Sequence, residues 1–151
     1  MKVGRKMKVS TKGRYALRLM IDLAEHNTGE YISLKDISQR QGISTKYLEQ
    51  IVSQLGKAGY LNSVRGPQGG YKLARAAKDY TIGDILRVTE GKFAPTTCLL
   101  DEKNQCEMYE ECATISFWEG LYDVINKYID SYTLEDIVEQ HRQKGMWDYS
   151  I

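Results

Sequence analysis

ISTKYLEQIVSQLGKAGYLNSVRGPQGGYKL, residues 43–73, reads as a helix, a glycine stop and two short strands joined by a basic, glycine-rich tip. Leu48, Ile51, Val52 and Leu55 recur at helical spacing, and Ser44 stands where a side-chain oxygen can cap the first turn. Thr45, Lys46, Glu49, Gln50, Ser53 and Gln54 fall on the opposite, polar face. Gly59 ends the helix, after which LNSV (61–64) and YKLA (71–74) can pair across RGPQGG (65–70). A polar-faced helix followed by a basic hairpin is the order of a recognition helix and a wing. The prediction is a mainly α fold with a small β-hairpin, a winged helix-turn-helix.

Upstream, Ala16, Leu17, Met20, Leu23 and Ala24 form one stripe of an amphipathic helix over residues 11 to about 26. Ser33 with Asp36 marks the start of a short helix that Gly42 ends, which gives helix-turn-helix spacing with the helix that follows. Downstream, Thr81 and Asp84 cap a helix carrying Ile82, Ile85, Leu86 and Val88, which stops near Gly91 and Pro95. The pattern then vanishes through a polar, acidic segment. A long helix is expected from about Cys112 to Asp130, roughly 30 Å at 1.5 Å per residue. Its apolar residues (Ile115, Phe117, Trp118, Leu121, Tyr122, Val124, Ile125, Tyr128, Ile129) make a stripe wider than one packing face needs, which predicts a homodimer built on this helix. Thr133 and Asp136 cap a last short helix, and KGMWDYSI (144–151) shows no pattern. The division is therefore 1–91, a winged helix-turn-helix domain; 92–112, a cysteine-bearing loop; and 113–151, the dimerisation and C-terminal helices.

The net charge of +1 conceals an asymmetry. Residues 1–75 hold 14 Lys/Arg against 5 Asp/Glu, and residues 76–151 hold 7 against 15, so the halves carry +9 and −8. A basic half that coincides with a winged-helix pattern is the footprint of a phosphate-binding surface, with double-stranded DNA as the expected partner. No window approaches the ~20 apolar residues of a membrane span, and no secretory leader is present, so the expected location is cytoplasmic. MKVGRK, before Met7, reads as an extended start or a basic arm.

The tip lacks the Lys-Ser/Thr and the helix of a P-loop. Gly66 and Gly69 instead let the backbone turn and approach phosphates, and Arg65 can enter a groove. On the helix, Gln50 suits adenine, Glu49 a cytosine amino group, and Ser44 and Tyr47 phosphates. Cys98, Cys106 and Cys112 are too few and too unevenly spaced for a disulfide framework or a zinc ribbon. They are candidate ligands of an iron–sulfur cluster, or redox thiols. No nucleophile–base pair is evident, so an enzyme is not expected.

Together TKGRYALRLM (11–20), ISTKYLEQIVSQL (43–55), VRGPQGGYKL (64–73) and the three-cysteine loop resemble the Rrf2 family of bacterial transcription regulators, and within it the iron–sulfur members. The resemblance runs from Met7 to Val138. It implies a homodimer whose [2Fe–2S] cluster, held by Cys98, Cys106 and Cys112, controls DNA binding at genes for cluster assembly. It places Ser44, Lys46, Tyr47, Glu49 and Gln50 on the recognition helix, with Glu49 discriminating between sites, and Arg65 on the wing. One departure concerns the fourth ligand. Ile115 stands where such members carry a histidine, and Arg14 where related nitric-oxide sensors carry an aspartate. Asp101, Glu107, Glu110 and Glu111 are nearby carboxylate candidates, alongside a water, a small thiol or a partner-subunit side chain. A cluster-free regulator of cysteine metabolism, sensing through thiols or a partner enzyme, is the alternative. A protein-binding winged helix is a second, and a cluster-donating protein is a further candidate partner.

Overall fold

The computed structural model describes residues 8–100 and 106–149. Its order is α1 (Thr11–Glu25), α2 (Leu34–Gln41), α3 (Thr45–Lys57), β1 (Leu61–Val64), β2 (Gly70–Leu73), α4 (Ile82–Glu90), α5 (Ile115–Asp130) and α6 (Leu134–Tyr149), with short 3₁₀ turns between. The expected winged helix-turn-helix is present.

Capping side chains set the helix starts. Ser10, Ser33 and Ser44 each accept a hydrogen bond from a backbone N–H of the first turn of α1, α2 and α3. Thr81 and Asp84 satisfy each other's N–H groups at α4, and Thr133 and Asp136 do so at α6. Gly42 ends α2 at φ +66°, in the left-handed region that glycine enters without strain.

The α1 helix is the hub. Ala16, Leu19, Met20 and Leu23 are buried against Leu48, Ile51, Val52 and Leu55 of α3, with Ile37, Ile43, Ile85 and Leu134 completing one core. Each fully buried aliphatic side chain contributes about 1.5–3 kcal/mol, so the apolar face of α3 holds its polar face outward. Strands β1 and β2 pair antiparallel, Leu61 opposite Leu73 and Val64 opposite Gly70. A bridge between Ile32 and Tyr71 anchors the hairpin to the segment before α2. Tyr80, fully buried, donates its hydroxyl proton to the Tyr60 carbonyl at 2.8 Å and accepts from the Arg75 N–H at 3.0 Å, while the Arg75 guanidinium stacks on both rings.

Three boundaries differ from expectation. Strand β2 begins at Gly70, because Gly70 rather than Tyr71 faces Val64. Helix α5 begins at Ile115, because Cys112 is extended (φ −70°, ψ 115°) after a 3₁₀ turn at Tyr109–Glu111. Helix α6 is not short: it continues through charged residues to Tyr149.

Within one chain α5 packs on α4 but buries no residue fully. Phe117, Val124 and Tyr128 are 66%, 63% and 64% exposed, the uncovered stripe that the sequence predicts. A fork fixes the α4–α5 joint. Arg87 donates to both carboxylate oxygens of Asp130 at 2.8 Å, and to the Asn126 side-chain oxygen at 2.8 Å. The Arg87 hydrogen bonds, against the opposing effect of burial, hold the Asp130 carboxyl below its ordinary 3.8. A lowered carboxylate stabilises the fold above that value and loses its contribution as pH falls through the folded pKa. The pair is half exposed, so the contribution is about 1 kcal/mol or less. Asp130→Asn is therefore expected to lower the unfolding midpoint slightly at pH 7, by an amount that shrinks as the pH falls below the ordinary carboxylate range. A deficit that does not shrink with falling pH would show that the carboxylate charge is not the cause.

Candidate nucleic-acid interface and cysteine loop

The side chains of Lys46, Glu49 and Gln50 project from α3 as exposed groups, next to the N-cap Ser44. The Ser44 oxygen accepts from the Tyr47 N–H at 3.2 Å, which leaves its hydroxyl proton available to a phosphate. Tyr47 is half-buried and meets Tyr15 of α1 edge-on at 5.6 Å, so its ring first of all braces α3 against α1. Arg65 is exposed at the wing tip and forms no ion pair among the described residues. Gly66 adopts φ +111°, and its carbonyl accepts from the Gly69 N–H at 2.9 Å, closing the tip. The recognition face and the wing tip therefore lie on consecutive elements with their polar groups free for a partner.

Between α3 and the strands of the wing runs a groove of about 280 Å³ lined by Glu49, Ser53, Lys57, Ser63 and Tyr71. The sequence reading missed Lys57 and Ser63. Lys57 sits in the last turn of the helix, where a cation commonly serves the helix dipole, and Ser63 reads as an ordinary outward strand residue. On β2, Lys72 stacks over the Tyr31 ring at 4.6 Å, which directs a wing cation toward the α1–α2 connection.

The cysteines lie on the connection from α4 to α5. Cys98, half-buried in a 3₁₀ turn, is 2.9 Å from the Thr96 hydroxyl. Cys106 is exposed, and its carbonyl accepts from the Tyr109 N–H. Cys112 lies three residues before α5, 3.6 Å from the Thr114 hydroxyl. That hydroxyl, with the N–H groups of Thr114 and Ile115, holds the Cys112 thiol below its ordinary value. The start of α5 thus favours the thiolate even though Cys112 is outside the helix.

Three thiols are the soft donors that iron takes in sulfur clusters, so the donor set fits in kind. Among the described residues, however, no three His, Cys, Asp or Glu side chains converge as a metal site. Glu107, Glu110 and Glu111 are exposed along the same loop, and Asp101 lies outside the described residues. The two histidines are committed elsewhere. His26 contacts Asp22 and His141 contacts Glu25, both at the end of α1.

A family model described as "Rrf2: Iron-dependent Transcriptional regulator" matches residues 9–140. The chain is 40% identical over 133 residues to the Rrf2 protein of Nitratidesulfovibrio vulgaris, covering 87% of each. Among solved structures it is similar to CymR, the global cysteine regulator of B. subtilis (TM-score 0.71, 39% identity, 88% of this chain and 97% of that one). It is also similar to T. potens IscR (TM-score 0.68, 42% identity, 89% and 88%). No helix among the described residues is long and apolar enough to cross a membrane.

Proposed function

Because the chain belongs to the Rrf2 family of transcriptional regulators, we propose that it acts as a cytoplasmic homodimer that grips promoter DNA with α3 and the wing and senses iron–sulfur supply through its cysteine loop. The observation that carries the DNA half is the exposed polar face of the Ser44-capped α3 beside an exposed Arg65. Two heads related by a two-fold axis read half-sites about one helical turn apart. The exposed Phe117, Val124 and Tyr128 supply the apolar face that a second copy covers.

Cys98, Cys106 and Cys112 are the residues that would hold a [2Fe–2S] cluster, with Glu107, Glu110 or Glu111 as candidate fourth ligands in place of the non-ligating Ile115. Bound there, the cluster supplies a redox- and supply-sensitive link across the loop. The chain's own part is conformational. The loop joins α4, which packs on α1 and α3, to α5. Any ligand that favours one loop arrangement shifts DNA binding by its differential free energy, commonly about 1–3 kcal/mol or 5- to 150-fold. Genes for cluster assembly are the targets this sensing suits, with Glu49 discriminating between sites.

The test is anaerobic purification with iron and sulfide assay, then DNA affinity with and without iron. The expected yield is about two irons per chain, abolished by Cys98→Ala, Cys106→Ala or Cys112→Ala. Retention of iron in all three variants would sink the site. The likeness to the cysteine regulator CymR favours a second reading, a cluster-free regulator sensing through thiols or a partner enzyme. Absence of iron after reconstitution selects it.

A further inference from the structure

We infer that Asp22, which lies in α1 and on neither DNA-facing element, is a positioning residue for sequence recognition, fixing the turn from which the recognition helix departs. The inference rests on the DNA-binding reading above. Asp22 is the buried charged residue among those described, with no exposed surface. Its Oδ1 accepts from Arg40 Nη2 at 2.7 Å and its Oδ2 from Arg40 Nε at 3.0 Å, a two-pronged grip on the penultimate residue of α2. The same Oδ2 accepts from Gln41 Nε2 at 2.9 Å, and His26 stands 3.7 Å from Oδ1. Gln41 is gripped again from α1. Its Oε1 accepts from Arg18 Nε at 3.2 Å, and its carbonyl accepts from Arg18 Nη2.

Gln41 is the last residue of α2, and only Gly42 and Ile43 separate it from Ser44, the cap of α3. The Ser38 hydroxyl also donates to the Ile43 carbonyl at 2.6 Å. One carboxylate therefore sets where the turn lies and hence where α3 begins. A buried ion pair is a poor source of net stability, since desolvation offsets the attraction. Its directional bonds instead select one arrangement, and a fork held at two points tolerates little tilt. Burial opposes the charge on Asp22, but the Arg40 and Gln41 bonds outweigh it and keep the carboxyl ionised. A small tilt of α3 leaves phosphate attraction almost intact, because charge acts at a distance. Base-edge contacts need alignment and do not survive it.

The experiment compares Asp22→Asn and, should that chain fail to fold, Arg40→Lys, which keeps the charge but not the two-pronged grip, with the wild type. Each binds two duplexes, one selected by the wild type from a random-sequence pool and one unrelated, across a salt series. The expected result is at least a tenfold fall in the selected-to-unrelated affinity ratio, with the salt slope unchanged. Loss of folded protein cannot mimic this, since it lowers binding to both duplexes by the same fraction. A variant ratio equal to wild type overturns the inference alone. Flat, salt-independent binding by the wild type overturns the DNA reading, and this inference with it.

Discussion

Arg65→Ala is expected to weaken DNA binding by roughly 5- to 150-fold, the equivalent of about 1–3 kcal/mol for one arginine seated in a groove. Arg65 stands exposed at the wing tip, so its removal leaves no hole in the protein and no buried partner without a bond. The unfolding midpoint should therefore stay where it is. The salt series separates two contributions. If the guanidinium neutralises a phosphate, the slope of log affinity on log salt falls in magnitude by about 0.9. If it lies in a narrowed minor groove, sequence preference falls as well. Arg65→Lys keeps the charge and loses the planar fork, so the slope persists while the preference is lost. Lys144→Ala, an exposed cation on α6, is the control and should leave affinity alone. Unchanged affinity in Arg65→Ala would remove the wing from the DNA interface.

This half of the molecule was legible because its signals are local. Leu48, Ile51, Val52 and Leu55 declare one face of α3, and the cap at Ser44 and the break after Lys57 follow from residue chemistry a few positions apart. The end of the chain shows the converse. Helix α6 buries Leu134 and Val138 and half-buries Ile137, then runs through the exposed polar residues 139–144, so its apolar spacing fades before the helix does. At α5, Cys112 looked like a first-turn residue, yet the 3₁₀ turn at Tyr109–Glu111 puts it in extended backbone. The site divides the same way. The exposed groups on α3 and the wing could be placed from sequence, whereas Cys98, Cys106 and Cys112 lie on one loop that has neither helical nor strand periodicity to orient them, and the position of a fourth ligand is filled by Ile115. Asp22 shows only part of its role in the sequence. It lies three residues from Leu19 and one from Leu23, on the buried side of α1, but only the fold shows that Arg40 meets it.

Gly70→Ala carries the largest expected cost to the fold, and it decides how glycine substitutions in the wing are to be interpreted. A Cβ at Gly70 would stand 2.2 Å from the Ile32 carbonyl oxygen, 2.4 Å from its carbon and 2.9 Å from Ser33 N. All three are backbone atoms, so no side chain can swing aside. The contact can be relieved only by opening the bridge in which Ile32 and Tyr71 exchange hydrogen bonds of 2.9 and 2.8 Å. Forced overpacking of this kind costs about 1–3 kcal/mol. At this chain length that lowers the unfolding midpoint by roughly 2–12 °C, and the wing should lose its grip on DNA together with its anchor. Gly66→Ala meets nothing within 4 Å and is strained only by its φ of +111°, so its effect should be smaller. Gly69 resembles Gly70, since its Cβ would stand 2.2 Å from the Val64 oxygen. A loss of DNA binding on substituting Gly69 or Gly70 therefore reports the hairpin's closure, and Arg65 is the wing residue whose substitution reports contact with DNA. If Gly70→Ala keeps its unfolding midpoint, the wing is not held by the Ile32 bridge.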